Sequence, residues 1–520
     1  MVKIKFYDTT LRDGSQAEGI NFSLQDKVVL AQRLDELGFD FIEGGYPASN
    51  EKDTQFFQSV KEKTMVHAKI SAFGMTRRKG VAAQEDTGLK SLLEAETPYI
   101  TVVGKSSAFQ AVEIIRSTRE ENLEMIADTV RFFVENGHKI IFDAEHFFDG
   151  WKEEPEYSLL TLKTAVEAGA ETVALCDTNG GSMPDEIAAG VRAAIETVKP
   201  FGATVGIHAH NDCGMAVANS IAAVEAGATQ VQGTINGFGE RCGNADLIQT
   251  AAILSLKKQG YEVLKPESIA QLTELSRFVY EMVNIPPSKR QPFVGKSAFA
   301  HKGGMHVSGI HRSSNAYEHI DPALVGNERR VLVSELSGRS NIVAMAQKHG
   351  IASDETLIKN ILAEVVARES KGYQYELAEG SFNILVRQLS GKFKPHFEGM
   401  QYRVIVESDN NGEMISEATV KTCVNDYVRY EVAEGDGPVD ALNRAMHKAL
   451  DPFYPSLAEV KLVDYKVRVI DSDSGTDAHV RVIIESTDGH DVWGTVGVSE
   501  NIIEASWEAI ADSFEYKLSK

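Results

Sequence analysis

From residue 3 to about 260 the chain repeats one pattern: a short β-branched, apolar run, then a polar or glycine-containing turn, then apolar residues at helical spacing. Eight runs read as strands, at residues 3–8, 39–44, 69–73, 99–103, 139–143, 172–176, 204–208 and 230–235. Their starts lie 26 to 40 residues apart, which suits one strand–helix unit each. The intervening stretches carry helix punctuation. Ser23-Leu-Gln-Asp26 is a capping box ahead of Val28, Ala31, Leu34 and Leu37. Ser182-Met-Pro-Asp185 opens another helix with Pro184 in its first turn. Glycine closes several, as at Gly38, Gly137 and Gly169. Eight such α/β units predict a TIM (β/α)8 barrel over residues 1–270. An open doubly wound sheet, the structural alternative, seldom holds eight units this regular.

Beyond residue 270 the period changes. Residues 270–285 read as helix, Pro286-Pro287 breaks it, and residues 299–309 form a glycine- and histidine-rich loop. Residues 340–348 and 356–371 read as helices, so 271–390 is expected to be a small helical linker region. The remainder, 391–520, reads as an α+β domain built from a repeated strand–strand–helix unit. Its strands are expected at 402–407, 418–423, 461–470, 479–486 and 491–498. Its helices are expected from Asp436-Gly-Pro438 onward and at 500–514.

Composition narrows the function. With 53 Lys and Arg against 75 Asp and Glu, the net charge of −22 makes nucleic acid or an anionic membrane a poor partner for the general field of the protein. An anionic substrate would need a local pocket with arginine, lysine or a metal. No run approaches a membrane span, and the N-terminus reads directly as a strand, so a cytoplasmic protein is expected. The four cysteines (Cys176, Cys213, Cys242, Cys423) show no CxxC spacing and are expected to be small buried thiols.

In a TIM barrel the chemistry gathers at the C-terminal strand ends. Here those ends read Asp8-Thr-Thr-Leu-Arg12-Asp13-Gly, Glu43-Gly-Gly, Asp143-Ala-Glu145-His146, Asp177-Thr178-Asn179, His208-Ala-His210-Asn-Asp and Gly239-Glu-Arg-Cys-Gly-Asn244. His208 and His210 alternate onto one face of their strand and can share a divalent cation. With Asp13 and the Asn244 amide oxygen they make a mixed N/O site, suited to Mn²⁺, Mg²⁺ or a catalytic Zn²⁺ with open positions. A 2-oxo acid chelates such a metal through its keto and carboxylate oxygens. Arg12 could polarise the keto oxygen, or it could simply pair with Glu240 or Glu43; the two roles can coexist.

Taken together, the Asp8–Gly14, His208–Asp212 and Gly239–Asn244 motifs resemble the 2-isopropylmalate, homocitrate and citramalate synthase family, whose barrel also serves 3-hydroxy-3-methylglutaryl-CoA lyase. The resemblance covers nearly the whole chain. Gly304-Met-His306 and Ser337-Gly-Arg339-Ser look like the synthases' linker, and Gly435-Asp-Gly-Pro438 like their allosteric domain. Asp8–Ile20 and Phe73-Gly-Met-Thr-Arg-Arg-Lys79 look like the citramalate branch. That branch condenses acetyl-CoA with pyruvate and water to give (R)-citramalate and CoA, for isoleucine synthesis.

The resemblance implies Asp13, His208, His210 and Asn244 as metal ligands, Arg12 on the keto oxygen and Thr178 on the substrate carboxylate. It implies Glu145 in proton transfer together with His306, the histidine that reaches a neighbouring subunit's barrel, with Tyr317 near His306. It further implies a homodimer and an isoleucine effector on the C-terminal domain. Asp143 and His146 around Glu145 depart from the small or aromatic and acidic residues usual in relatives. Met75 and Val103 are candidates for acceptor-length selection. Alternatives are 2-isopropylmalate or homocitrate synthesis, an acyl-CoA lyase, and a catalytically silent amino-acid sensor.

Overall fold

The computed structural model describes residues 1–520 apart from 48, 333–340, 342–354, 409–411, 413 and 471–477. The described chain divides into two compact units, residues 1–299 with 320–328, and residues 300–319 with 329–520.

The first unit is a closed barrel of eight parallel strands. They are β1 (Lys5–Asp8), β2 (Phe41–Gly45), β3 (Lys69–Met75), β4 (Tyr99–Lys105), β5 (Lys139–Glu145), β6 (Thr172–Asp177), β7 (Thr204–Ala209) and β8 (Gln230–Gly233). The barrel closes through β1 on β8, with Lys5 opposite Gln230 and Asp8 opposite Gly233. The first predicted strand is split. Val2–Lys3 leaves the barrel to pair in parallel with Tyr261–Glu262, and buried Ile4 marks the turn between the two.

Local chemistry sets the helices. Ser23 caps Leu24–Leu37 by accepting the Asp26 N–H while Asp26 accepts the N–H of Ser23, and Gly38 ends it at φ +86°. The helix Pro184–Val198 starts with proline at its first position, as predicted. Its N-cap is Met183, however, because the Ser182 hydroxyl is taken by Asp177. Apolar helix faces such as Leu30, Leu34, Ile126, Val130, Leu162 and Val191 pack on the outer faces of the strands in one continuous core.

Beside a small apolar cluster of Tyr7, Phe41 and Ile141, the barrel's inside is largely polar. Buried Tyr7 donates to Glu43 and meets the Thr101 hydroxyl at 2.6 Å, and Ser71 lies 2.9 Å from the same hydroxyl. Asp143 and Gln232 are buried there too. Unpaired, each of these groups would cost free energy, so their mutual hydrogen bonds are what make a polar interior tolerable.

In the second unit the residues read as a glycine–histidine loop form a helix from Gly304 to Arg312. Glycine lowered the helical reading, yet Gly303 is extended and serves as the N-cap. The expected helix at 356–371 is Glu355–Glu369, followed by Glu379–Leu389. The expected helix at 340–348 and the Ser337–Ser340 motif lie outside the described residues, apart from Asn341.

The C-terminal α+β domain has two three-stranded antiparallel sheets, where only two strands were predicted in the first half. They are Glu398–Ser408 with Met414–Val424 and Tyr427–Gly435, and Lys461–Val469 with Val480–Thr487 and Val492–Ser499. The missed strand, Tyr427–Gly435, turns back through Asn425 and Asp426, both at positive φ (47° and 66°). That two-residue pair was the available hairpin signal. Helices Pro438–Leu450 and Ile502–Ser519 cover the sheets, with Leu442, Met446, Trp493 and Phe514 in the shared core.

Candidate metal centre

Two loops build the centre, and both are braced locally. After β1, the Gly14 N–H reaches the Thr9 carbonyl at 3.0 Å, and the Asp8 carboxylate accepts from the Thr10 N–H and hydroxyl. The Thr10 oxygen in turn accepts the Ile235 N–H, tying this loop to the one after β8. The result sets Arg12 and Asp13 on the rim. After β8, Gly243 turns at φ +87°, where a Cβ would fall 1.9 Å from the Gly237 carbonyl. This turn brings Asn244 into an isolated antiparallel bridge with His210.

The expected ligands converge. Ligand atoms of Asp13, His208 and His210 all lie within 4.8 Å of one another, and all three residues are buried. His208 Nε2 is 3.1 Å from Asp13 Oδ2, and the two imidazole rings are 5.2 Å apart. His210 Nδ1 and Asn244 Oδ1 are buried with no hydrogen-bond partner among the described residues. The other end of the Asn244 amide donates to the Phe238 carbonyl, which fixes which atom faces away. A buried polar atom left unpaired beside two other ligands is what a cation site looks like before its cation is added. The residues therefore fit a divalent metal.

The charges are consistent with this. Burial opposes ionisation of Asp13, but the Arg12 guanidinium and then the His208 ring outweigh it and hold the carboxyl below its usual range. Burial and the neighbouring His208 push His210 down to about 4, so it is a neutral donor at pH 7. Burial, with the charge of Glu43, pushes Asp143 up to about 7.

Arg12 pairs through Nε with buried Glu43, not with Glu240. Its guanidinium carbon also lies 3.8 Å from the centroid of the Phe73 ring, and Nη1 lies 3.6 Å from Asp13. Thr178 accepts the His146 N–H at 2.8 Å, which leaves its hydroxyl proton free to donate elsewhere. Arg241 joins Asp212 to the Thr178 carbonyl and so ties three rim loops together.

Glu145 ends β5 and is ion-paired with Lys105 from the end of β4. A cavity of about 650 Å³ opens there, lined by Met75, Val103, Lys105, Glu145 and the basic Arg78 and Lys79. His306 and Tyr317 form a separate pair in the second unit, their rings stacked 4.0 Å apart. Of the cysteines, Cys176 is buried as expected, but Cys213 and Cys242 are exposed because the rim loops that carry them face solvent.

Sequence reasoning missed Lys105 and Gln232. The signal for Gln232 was Gln230-Val-Gln232, a polar residue at alternate positions in a strand that had to be buried on both faces.

Family models match in three consecutive stretches: HMGL-like at residues 3–279, the homocitrate synthase post-HMGL domain-like model at 293–372, and the LeuA allosteric (dimerisation) domain at 376–518. The (R)-citramalate synthase of Aquifex aeolicus is 49% identical over 100% of this chain and 98% of its own length. That of Geobacter sulfurreducens is also 49% identical, with the same coverage. A probable 2-isopropylmalate synthase of Methanopyrus kandleri is 31% identical over 98% of this chain and 97% of its own.

Proposed function

We infer the activity from membership: the chain belongs to the HMGL-like family, in the group that holds these (R)-citramalate synthases. It condenses acetyl-CoA with pyruvate and water, giving (R)-citramalate and CoA. The observation that carries the reading is the convergence of Asp13, His208 and His210 with the unpaired Asn244 oxygen on the rim, in a chain that matches those synthases end to end.

In this reading Asp13, His208, His210 and Asn244 hold a divalent cation, Mn²⁺, Mg²⁺ or Zn²⁺. When bound, it supplies Lewis-acid polarisation of the keto acid. Arg12, oriented by Glu43 and Phe73, meets the keto oxygen and takes up the negative charge that develops there. Thr178 donates its hydroxyl proton to the pyruvate carboxylate. The cavity beside Glu145 receives the acetyl-CoA arm, its volume falling in the range of ligand pockets. Proton removal from the acetyl methyl involves Glu145 and the His306 that reaches in from a neighbouring subunit, and the methyl carbon then bonds to the keto carbon. Water cleaves the resulting thioester and releases CoA as the thiol. Tyr317 stacks on His306 and orients it.

The three segments 1–270, 271–390 and 391–520 serve as catalytic, linker and regulatory parts. The protein works in the cytoplasm as a homodimer, which the match to a dimerisation domain supports. Isoleucine acts on residues 391–520, and truncation near residue 390 removes that sensitivity if the assignment is right. The deciding test is thiol release from acetyl-CoA with pyruvate, 2-oxobutyrate, 2-oxoisovalerate or 2-oxoglutarate, with and without EDTA. Pyruvate preference abolished by EDTA is expected. Preference for 2-oxoisovalerate would move the protein to 2-isopropylmalate synthesis, and no release with any acceptor would overturn the synthase reading.

A further inference from the structure

His208 does not stand alone on its strand. Its Nδ1 is 2.9 Å from the side-chain oxygen of Gln232, its direct neighbour across the β7–β8 pairing. The amide nitrogen of Gln232 then reaches across the barrel to Asp143 Oδ1 on β5, at 2.8 Å. Gln232 is wholly buried and Asp143 nearly so. The amide turns its NH₂ toward an Asp143 oxygen that accepts it, and its own oxygen toward His208. An amide oxygen only accepts, so the imidazole must carry a proton on Nδ1. Nε2, the atom 3.1 Å from Asp13, is thereby the nitrogen that donates to that carboxylate before a cation enters and gives up its proton to bind one. With the amide reversed, an N–H would face Nδ1, the ring's last proton would be held on Nε2, and it would point into the ligand cluster.

We propose that Gln232 and Asp143 are positioning residues that lock His208 in the Nδ1–H tautomer and so present Nε2 to the cation. The inference rests on the metal reading above and adds to it two residues that touch neither cation nor substrate. A merely space-filling glutamine would leave the tautomer to the solvent and to Asp13. The hydrogen bond to Nδ1 is what raises ligand basicity and fixes ring orientation in metal-binding histidines generally.

The test uses the full-length protein. Two quantities are read: the ¹⁵N shift of His208 Nδ1 in the Zn²⁺-loaded protein, which reports the hydrogen bond that nitrogen donates, and the Mn²⁺ Kd by calorimetry. Gln232→Leu keeps the apolar volume and removes both hydrogen bonds. It is expected to shift the Nδ1 resonance to that of a ring without this hydrogen bond and to raise the Kd by about 10–100-fold. Asp143→Leu, which leaves Gln232 in place, is expected to do the same. Asp143→Asn, which keeps an acceptor oxygen, is expected to stay near the unsubstituted protein. If one leucine variant does not fold, the other carries the comparison. An unchanged Nδ1 shift and an unchanged Kd in a folded leucine variant would overturn the relay alone. No Mn²⁺ binding by the unsubstituted protein would overturn the metal reading and the relay together.

Discussion

His210 and Asn244 face each other across an isolated antiparallel bridge, and each buries a side-chain atom, Nδ1 and Oδ1, that no donor or acceptor among the described residues satisfies. Forming this bridge costs two desolvations that the chain does not recover by itself. We therefore expect a divalent cation to raise thermal stability by linkage, and EDTA to lower it. His210→Ala should abolish that metal-dependent shift in melting temperature, and Asn244→Ala should weaken it. A folded His210→Ala protein with an undiminished Mn²⁺ shift would remove His210 from the site.

Arg12 and Glu43 form a buried ion pair beside the ligands. Arg12→Lys loses the planar fork while keeping the charge, so kcat should fall by roughly 10²–10³, the loss typical of removing one donor to a developing oxyanion. Its Mn²⁺ Kd should stay near that of the parent. Glu43→Gln leaves the guanidinium with only the longer Asp13 contact and should cost about 1–3 kcal/mol in urea unfolding. A Glu43→Gln protein as stable as the parent would show that Asp13 alone balances Arg12.

Glu145 is expected to act on the acetyl group and not on the cation. Glu145→Gln should lower kcat by about 10²–10⁴ while leaving Mn²⁺ affinity intact, since Glu145 pairs with Lys105 and not with the ligand cluster. Lys105→Met should lower kcat by less, because it frees the carboxylate without removing it. Parallel loss of Mn²⁺ binding in Glu145→Gln would place this residue among the ligands.

Asp8 offers a pH test of the fold beneath the site. Burial, only partly offset by its Thr10 hydrogen bonds, pushes its carboxyl from 3.8 up to about 7. The folded state therefore holds a proton that the unfolded state has lost between about pH 4 and 7. The parent's stability consequently falls across that window and levels off above it. Asp8→Asn has no proton to lose. Its stability relative to the parent should improve by up to about 4 kcal/mol from pH 4 to pH 8 in urea titrations. A constant difference across that range would mean that Asp8 titrates normally.

Much of the architecture was readable because it is encoded locally. A period-2 run, a capping box at Ser23 or a proline at position 184 expresses its preference within a few residues, so the eight strands and most helices could be placed without tertiary information. The same locality explains the ligands. Asp13, His208, His210 and Asn244 sit in the ends of strands or in the loops that follow them, and a barrel delivers all strand ends to one rim whatever its exact packing. Where the local signal was ambiguous the reading failed. Glycines hid the helix at Gly304–Arg312, and a charged, tyrosine-rich run hid the strand Tyr427–Gly435.

What only the tertiary structure decided are partnerships across the barrel. Arg12 had Glu43 and Glu240 as candidate partners, and β2 delivers the first of these to it. His208, Gln232 and Asp143 are separated by 24 and 89 residues, and nothing in the spacing announces their hydrogen bonds. Residue types determined what this site could bind. Closure of the barrel determined which nitrogen of His208, and which face of Arg12, is turned toward it, because orientation is set by hydrogen bonds between strands that meet only once the ring is complete.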